Sequence, residues 1–446
     1  MVKVNVDLNR DMGRIKAMHG VNNGPVHRVG KDQDSTNLRL YQEAGIPYAR
    51  NHDASFCSIY GGAHTVDIQA VFPDFERDPY DEMSYDFDLT DDYLSTISLA
   101  GAKCFYRLGS KIEHARKKYG TLPPKDFQKW AVICEHIIRH YTEGWANGFH
   151  MDIEYWEIWN EPDLDPDDAT DKRTWGGTKE QYFALYRVAA THLKQCFPHL
   201  KIGGPALAHN LIWLEDFLKQ LDAPLDFCSW HIYAKTPQKI EKRMYAVREL
   251  LDQYGYTKTE SILNEWNYVK GWSGDDFVET IKTIKGMKGA AFTAATFALG
   301  QKAPLDLLMY YDARPCAFNG MFDTDFSFVP LKGYYPFRMF NRLYQLKNSI
   351  FCDTDDEQIY AVAAKDGKNT AVMITYFSDV DSSVSKDVEI LFHGFAQSVT
   401  RCELLDDTHD CAEISQTVCK ATNSIRITDM KPQTVYLICT TGETEK

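Results

Sequence analysis

The sequence predicts an α/β protein: a (β/α)8 TIM barrel carrying a smaller C-terminal antiparallel β-sandwich. Three observations predict it. Eight short β-type runs alternate with longer stretches of helical period over roughly 330 residues, a length that a barrel with insertions takes. Near Phe351 the pattern changes to strands joined by tight turns. At the N-terminus, Val2, Val4, Val6 and Leu8 alternate with other residues, as in a half-buried strand.

The eight runs are Ala17–Val21, Ile46–His52, Lys103–Leu108, Tyr155–Asn160, Lys201–Gly204, Phe227–Tyr233, Ser261–Asn264 and Leu307–Tyr311. Between them lie helical stretches, the clearest being Pro124–Tyr141. There Phe127, Trp130, Ala131, Cys134, Ile137, Ile138 and Tyr141 fall three or four apart and define one apolar stripe. Lys179–Phe197, Pro237–Tyr254 and Asp275–Leu299 behave similarly. A doubly wound open sheet is the other architecture of this alternation, but eight units is long for it and no Gly-x-Gly-x-x-Gly opens a helix. The later strands are Gln358–Ala364, Thr370–Tyr376, Asp387–Phe392, Val399–Leu405, Ser424–Ile427 and Thr434–Cys439, with Asp366-Gly367 as a hairpin signal. The expected domains are a catalytic barrel at 13–349 and a sandwich at 350–446, joined by an N-terminal strand at 1–12.

Composition narrows the partners. The 446 residues are 44% hydrophobic and 25% charged, which excludes a disordered or collagenous chain. With 63 acidic and 49 basic residues the net charge is −14, which argues against nucleic acid and anionic membranes as partners. No apolar run is long enough to span a bilayer. The 11 Cys are odd in number and form no Cys-x-x-Cys pair, so zinc ribbons and thioredoxin-type sites are not expected. The start, Met1-Val-Lys-Val-Asn-Val-Asp, lacks the apolar core of a signal peptide, so the chain reads as cytoplasmic unless a leader was removed from it. No motif calls for a metal or an organic cofactor. Oligomeric state is left open, a homo-oligomer included.

In a barrel the chemistry sits where the strands end. The fourth run ends Trp156-Glu157-Ile158-Trp159-Asn160-Glu161-Pro162, and the seventh ends Leu263-Asn264-Glu265-Trp266-Asn267. Two carboxylates, each preceded by Asn, thus stand at two strand tops. Two facing carboxylates are what glycoside hydrolysis needs: one protonates the leaving oxygen, the other attacks or stabilises the anomeric carbon. Abundant rings beside Asp, Asn and Gly suit an oligosaccharide ligand.

These motifs resemble clan A of the glycoside hydrolases, and more narrowly family 39, whose first strand-loop looks like His19-Gly20-Val21-Asn22-Asn23-Gly24-Pro25. Arg50-Asn51-His52-Asp53 looks like its second, Ser229-Trp230-His231-Ile232-Tyr233 like its sixth and Asn264-Glu265-Trp266-Asn267 like its seventh. The resemblance implies Glu161 as acid/base and Glu265 as nucleophile of a retaining enzyme, with carboxyl groups about 5–5.5 Å apart. It implies that Asn160 bonds the hydroxyl beside the anomeric carbon, that Tyr233 donates to Glu265, that His231 lines the sugar site, and that His52 and Asp53 hold hydroxyls of the terminal sugar. Arg50 is expected to support the nucleophile.

Other residues carry two readings. His52 is a sugar contact or a core histidine, and His231 and Tyr233, on one strand face, line the site or end a buried strand. Glu157 points into the barrel below Glu161 and reads as a partner of Arg50. His136 and His140 have i, i+4 spacing without the Glu of a metalloprotease and read as rim residues. Arg314 is a sugar clamp or a loop ion pair, and Trp266 and Trp175 stack on sugars or fill the core. At the third strand, Tyr106-Arg107-Leu108-Gly109-Ser110-Lys111-Ile112-Glu113-His114 departs from the family's β-xylosidases. The expected function is an exo-acting β-xylosidase-like enzyme on pentose-containing plant oligosaccharides, and that departure keeps an α-L-arabinofuranosidase or another exo-glycosidase of the same family as the alternative. A non-catalytic sugar-binding barrel would keep the rings and lose a carboxylate. The exo expectation rests on two long loops, Asp53–Thr90 with Tyr60, His64, Phe72, Phe75 and Tyr80, and Asp163–Gly177 with Trp175.

Overall fold

The computed structural model describes residues 1–28, 35–52, 65–324, 328–380, 384–394, 396–414 and 423–442. Eight strands, Ala17–Asn22, Tyr48–Asn51, Lys103–Leu108, Tyr155–Ile158, Lys201–Leu207, Phe227–Ala234, Glu260–Tyr268 and Leu307–Tyr310, pair in parallel, and the eighth closes on the first. Each predicted run falls on a barrel strand. The runs are short and almost wholly buried, as a parallel sheet covered by helices requires.

Side chains alternate between barrel interior and helix layer. Phe105, Tyr155, Phe227, Ile262, Leu307 and Met309 fill the interior, with Ala17 and Tyr48 packed on them. Two residues further along, the inward positions become polar: Arg50 follows Tyr48, Arg107 follows Phe105 and Glu157 follows Tyr155, all fully buried. That polar layer is the floor of the site.

The surrounding helices form where the sequence supplies caps and an apolar stripe. Phe127–Thr142 starts at Asp126, whose carboxylate accepts the Lys129 N–H, and Lys179–Cys196 starts with a reciprocal Thr178/Gln181 capping box. Pro237 opens Pro237–Gln253. The single helix expected over Asp275–Leu299 is two, Gly274–Lys285 and Met287–Lys302, broken at an extended Gly286. Their environments explain the break. The first buries only Thr280 and Ile284, whereas the second is buried nearly all round.

The second unit is a nine-stranded sheet ordered Asp410–Glu413, Gln397–Leu405, Thr434–Gly442, Asn369–Tyr376, Ile359–Asp366, Asn348–Thr354, Val2–Arg14, Lys386–His393 and Ser424–Met430. It is antiparallel except where Val2–Asp7 runs parallel to Val388–His393. Asp366 faces Asn369 across a two-residue turn with Gly367 at φ 55°, a conformation that favours glycine. Ile359, Ala361 and Ala363 enter the sheet's own core, and the alternate Tyr360, Val362 and Ala364 join the barrel's core cluster. The sheet therefore docks on the helices Met287–Lys302 and Tyr335–Gln345. Among the described residues no helix is long and apolar enough to cross a membrane.

Candidate active site

Arg50 organises the floor. Its Nε donates to Glu157 Oε2 at 2.8 Å, one terminal nitrogen to Glu265 Oε1 at 2.8 Å and Asn22 Oδ1 at 3.0 Å, and the other to Asn160 Oδ1 at 2.7 Å. Glu157 also accepts from Asn264 Nδ2 at 2.6 Å. A buried guanidinium between two buried carboxylates satisfies charges that none could bear alone. Burial works against the charge on Arg50, but Glu157 and Glu265 outweigh it and raise its proton affinity. With the Asn160 carbonyl held by Arg50, its NH2 is the group left for a ligand.

Glu265 receives three further neighbours. Tyr233 Oη donates to Oε2 at 3.0 Å, His52 Nε2 lies 3.2 Å from Oε1, and His231 Nδ1 lies 3.5 Å from Oε2. The same His231 Nδ1 is 2.7 Å from Glu161 Oε1. An oxygen of Glu161 and one of Glu265 lie within 4.8 Å of each other, with the His231 nitrogen within reach of both and closer to Glu161. The strand end that carries Glu161 is strained, with Trp159 and Glu161 at φ of 74° and 49°, and so is Ala206 at φ 55° on the neighbouring fifth strand. Hydrogen bonds hold it there, from Glu161 N–H to the Ala206 carbonyl at 2.9 Å and from Thr174 Oγ1 to the Glu161 carbonyl at 2.6 Å.

The surroundings of Glu161 favour its protonated form. Burial, then the charge of Asp163, pushes the Glu161 carboxyl up to about 7, against the lowering influence of His52, Arg50 and His209. Asp163 is itself anchored by the backbone N–H groups of Ala208, His209 and Asn210 at 2.7, 3.0 and 2.8 Å. Burial pulls His231 down to about 4, so its ring is neutral at working pH. Its Nε2 has no hydrogen-bond partner among the described residues, which leaves the proton on Nδ1, facing the carboxylates. Burial and the Glu265 charge raise Tyr233, which stays a donor.

The structure thus brings Arg50, His52, Asn160, Glu161, His231, Tyr233 and Glu265 together. Asp53 lies outside the described residues, as do Tyr60 and His64. Trp266 is a correction. Next to Glu265 on the strand, it points the opposite way and packs on Phe292, Phe297 and Tyr310, fully buried. Trp175 is likewise core, edge-on to Trp159 and Tyr182. Arg314 forms the loop ion pair, 3.2 Å from Asp312. His136 and His140 are buried, bonded to the Val132 carbonyl and to Asp91, and not on the rim.

Sequence reasoning missed Asn22 and Asn264, which complete the floor, Asp163, which faces Glu161, and the rings Trp272, Tyr311 and Phe318 beside Tyr233. A signal existed for Trp272: in Lys270-Gly271-Trp272-Ser273-Gly274 no local apolar partner could bury it. On the other side, three loops lace into one wall. Asp67 pairs with Arg107 at 2.7 Å and accepts Lys111 N–H at 3.0 Å, Gln69 bonds Ser110, and Glu113 N–H reaches the Arg173 carbonyl at 2.8 Å.

Two groups of metal-ligating side chains occur among the described residues, Glu161–His231–Glu265 and Glu135–His192–Cys196. Each has an arginine in the place a cation would compete for: Arg50 on Glu265, and Arg139 on Glu135 at 2.8 Å.

Known proteins resemble the chain in sequence and fold. A β-xylosidase of Caldicellulosiruptor saccharolyticus is 26% identical over 249 residues, 52% of this chain and 46% of the relative. A β-xylosidase of Geobacillus stearothermophilus is 30% identical over 219 residues, 45% and 40% respectively. The chain thus spans less than half the length of each of these relatives. The crystal structure of a glucosidase from Croceicoccus marinus superposes with a TM-score of 0.78 at 21% identity, over 100% of both chains, which shows a shared fold. The model of glycosyl hydrolases family 39 matches residues 2–266, more than half of the chain and both glutamates: the chain belongs to that family.

Proposed function

We propose that the protein is a retaining, exo-acting glycoside hydrolase of the β-xylosidase type, removing pentose units from oligosaccharides. The observation that carries the reading is the pair Glu161 and Glu265, with oxygens within 4.8 Å of each other and the Glu161 carboxyl raised to about 7. Inverting enzymes need about 6.5–9.5 Å between carboxyls to seat a water, and retaining ones about 5–5.5 Å. In the first step Glu265 attacks the anomeric carbon while Glu161 gives its proton to the leaving oxygen, and the glycosidic bond breaks. In the second, Glu161 takes a proton from water, which displaces Glu265 and restores both groups. Arg50 and Tyr233 donate hydrogen bonds to Glu265 and aim it, and His231 holds Glu161 Oε1, so that Oε2 faces the leaving group.

The laced wall of the loops after strands two, three and four supports a pocket closed at one end. A β-xyloside assignment draws on the two β-xylosidase relatives. An α-L-arabinofuranosidase is the second reading, favoured by the third strand end, where Arg107 pairs with Asp67 and departs from the xylosidase pattern.

The test is hydrolysis of p-nitrophenyl β-xyloside, p-nitrophenyl α-L-arabinofuranoside and a xylo-oligosaccharide series, followed by NMR. The expected result is first-formed β-xylose released one unit at a time, abolished in Glu265→Ala. First-formed α-xylose, or a spread of early product lengths, overturns the retaining or the exo assignment respectively.

A further inference from the structure

Trp272 lies between the seventh strand and the helix Gly274–Lys285, and 61% of its surface is exposed. A large ring left in water forgoes the free energy of burial, so its position asks for a reason. It is not isolated. It stands edge-on to Tyr233 at 5.0 Å and 81°, and lies nearly parallel to Phe318 at 5.7 Å and 28° and to Phe277 at 6.3 Å and 26°. Phe318 continues to Tyr311 at 6.1 Å, and Tyr311 meets the edge of His52 at 5.6 Å. Rings from the ends of strands six, seven and eight thus form one continuous rim, which meets His52 at the end of strand two. Its inner members, Tyr233 and His52, both touch Glu265.

The site is therefore asymmetric. Loops after strands two to four make a wall of ion pairs and backbone hydrogen bonds, and loops after strands six to eight present open aromatic faces. On the exo reading proposed above, a sugar seated against the wall would have its anomeric carbon between Glu161 and Glu265. The next unit of the substrate then lies on the open side. We propose that Trp272, backed by Phe318 and Phe277, is a stacking platform for the saccharide or aryl unit on the leaving-group side of the scissile bond. A flat indole face takes the C–H face of a pyranose or an aryl ring, and its two stiff dihedrals make that ordering cheap. The inference rests on the glycosidase reading but adds a binding position to it.

The experiment compares wild type, Trp272→Ala and Trp272→Phe. Folding is checked by circular dichroism and assembly by light scattering. KM and kcat are measured on xylobiose and xylotriose, with inhibition by free xylose reporting the attacked-sugar position alone. Trp272→Ala is expected to raise KM on both oligosaccharides about five- to tenfold. The xylose inhibition constant should not change, and Trp272→Phe should recover most of the loss. Unchanged KM overturns the platform, and so does an altered oligomeric state with unchanged KM. A parallel rise in KM and in the xylose constant places the ring on the attacked sugar and overturns the leaving-side assignment. A wild type that cleaves neither oligosaccharide is a failure of the xylosidase reading instead. The same comparison then runs on whichever aryl glycoside the enzyme cleaves, with its free sugar as inhibitor.

Discussion

At the scale of single residues, the protonation of Glu161 follows from its surroundings. Its folded proton affinity is raised to about 7, so the acid form persists to neutral pH, and the rate should fall as pH rises through that value. The same shift has a sign in stability. Between the ordinary carboxyl range and about 7 the folded state holds a proton that the unfolded chain releases, so Glu161 makes stability decline across that window as pH rises. Asp163 is the named charge that raises it, and burial remains when that charge goes. Asp163→Asn should therefore move the alkaline limb of kcat/KM to lower pH without returning it to an ordinary carboxyl value. A lower rate at every pH, with the limb unmoved, would mean that Asp163 only holds the backbone of Ala208–Asn210. Arg50 gives a second prediction. Arg50→Met leaves Glu157 and Glu265 buried without a cation, which costs about 3–5 kcal/mol. The loss, measured by urea unfolding, should shrink as pH falls and the carboxyls protonate. A loss under about 1 kcal/mol would show that water or a neighbour compensates the pair.

At the scale of elements, the barrel was legible because parallel strands buried on both faces are short apolar runs, and each such run is a strand. The meeting of Glu161 and Glu265 was legible because Asn-Glu recurs at two strand ends. Other features were not. The strand Asn348–Thr354 falls where the helical pattern stops, and Asp410–Glu413 is a short, partly polar edge, so neither stands out by periodicity. The Gly286 break is tertiary, since the two helices differ in what covers them. Trp266 and Trp272 show the limit at the site. Both are rings near Glu265, and only strand parity and the chain's exit from the barrel send one inward and the other to the rim. The fifth strand offers a test of the barrel's tightness. At Gly203 a methyl group would run into the Phe227 carbonyl oxygen and ring, a rigid neighbour in the adjoining strand. Gly203→Ala should cost about 1–3 kcal/mol by overpacking, read from the shift in urea midpoint. A neutral result would show that strands five and six can part.

At the scale of the molecule, the sheet and the barrel share structure that a boundary drawn through the sequence would cut. Val2–Arg14 pairs with Asn348–Thr354 on one side and Lys386–His393 on the other, deep inside the sheet. The outer face of that sheet, including Val362, Met373 and Leu437, belongs to the barrel's own core cluster. Asp379, just beyond the sheet strand Asn369–Tyr376, accepts from Tyr268 Oη at 3.2 Å and lies 3.1 Å from Lys288 Nζ. Tyr268 is three residues beyond Glu265 on the same strand, so the sheet braces the element that carries the nucleophile candidate. We therefore expect one cooperative thermal transition, with loss of near-ultraviolet dichroism, loss of activity and the calorimetric peak coinciding. Leu437→Ala sharpens the test. The side chain is fully buried at the junction, and its truncation should cost about 2–5 kcal/mol. If the two units unfold together, the whole transition moves down, and activity with it, although Leu437 lies in the sheet and takes no part in the barrel's polar floor. If calorimetry instead resolves two peaks and only one responds to Leu437→Ala, the sheet is an independent passenger and its contacts with the seventh strand do not stabilise the site.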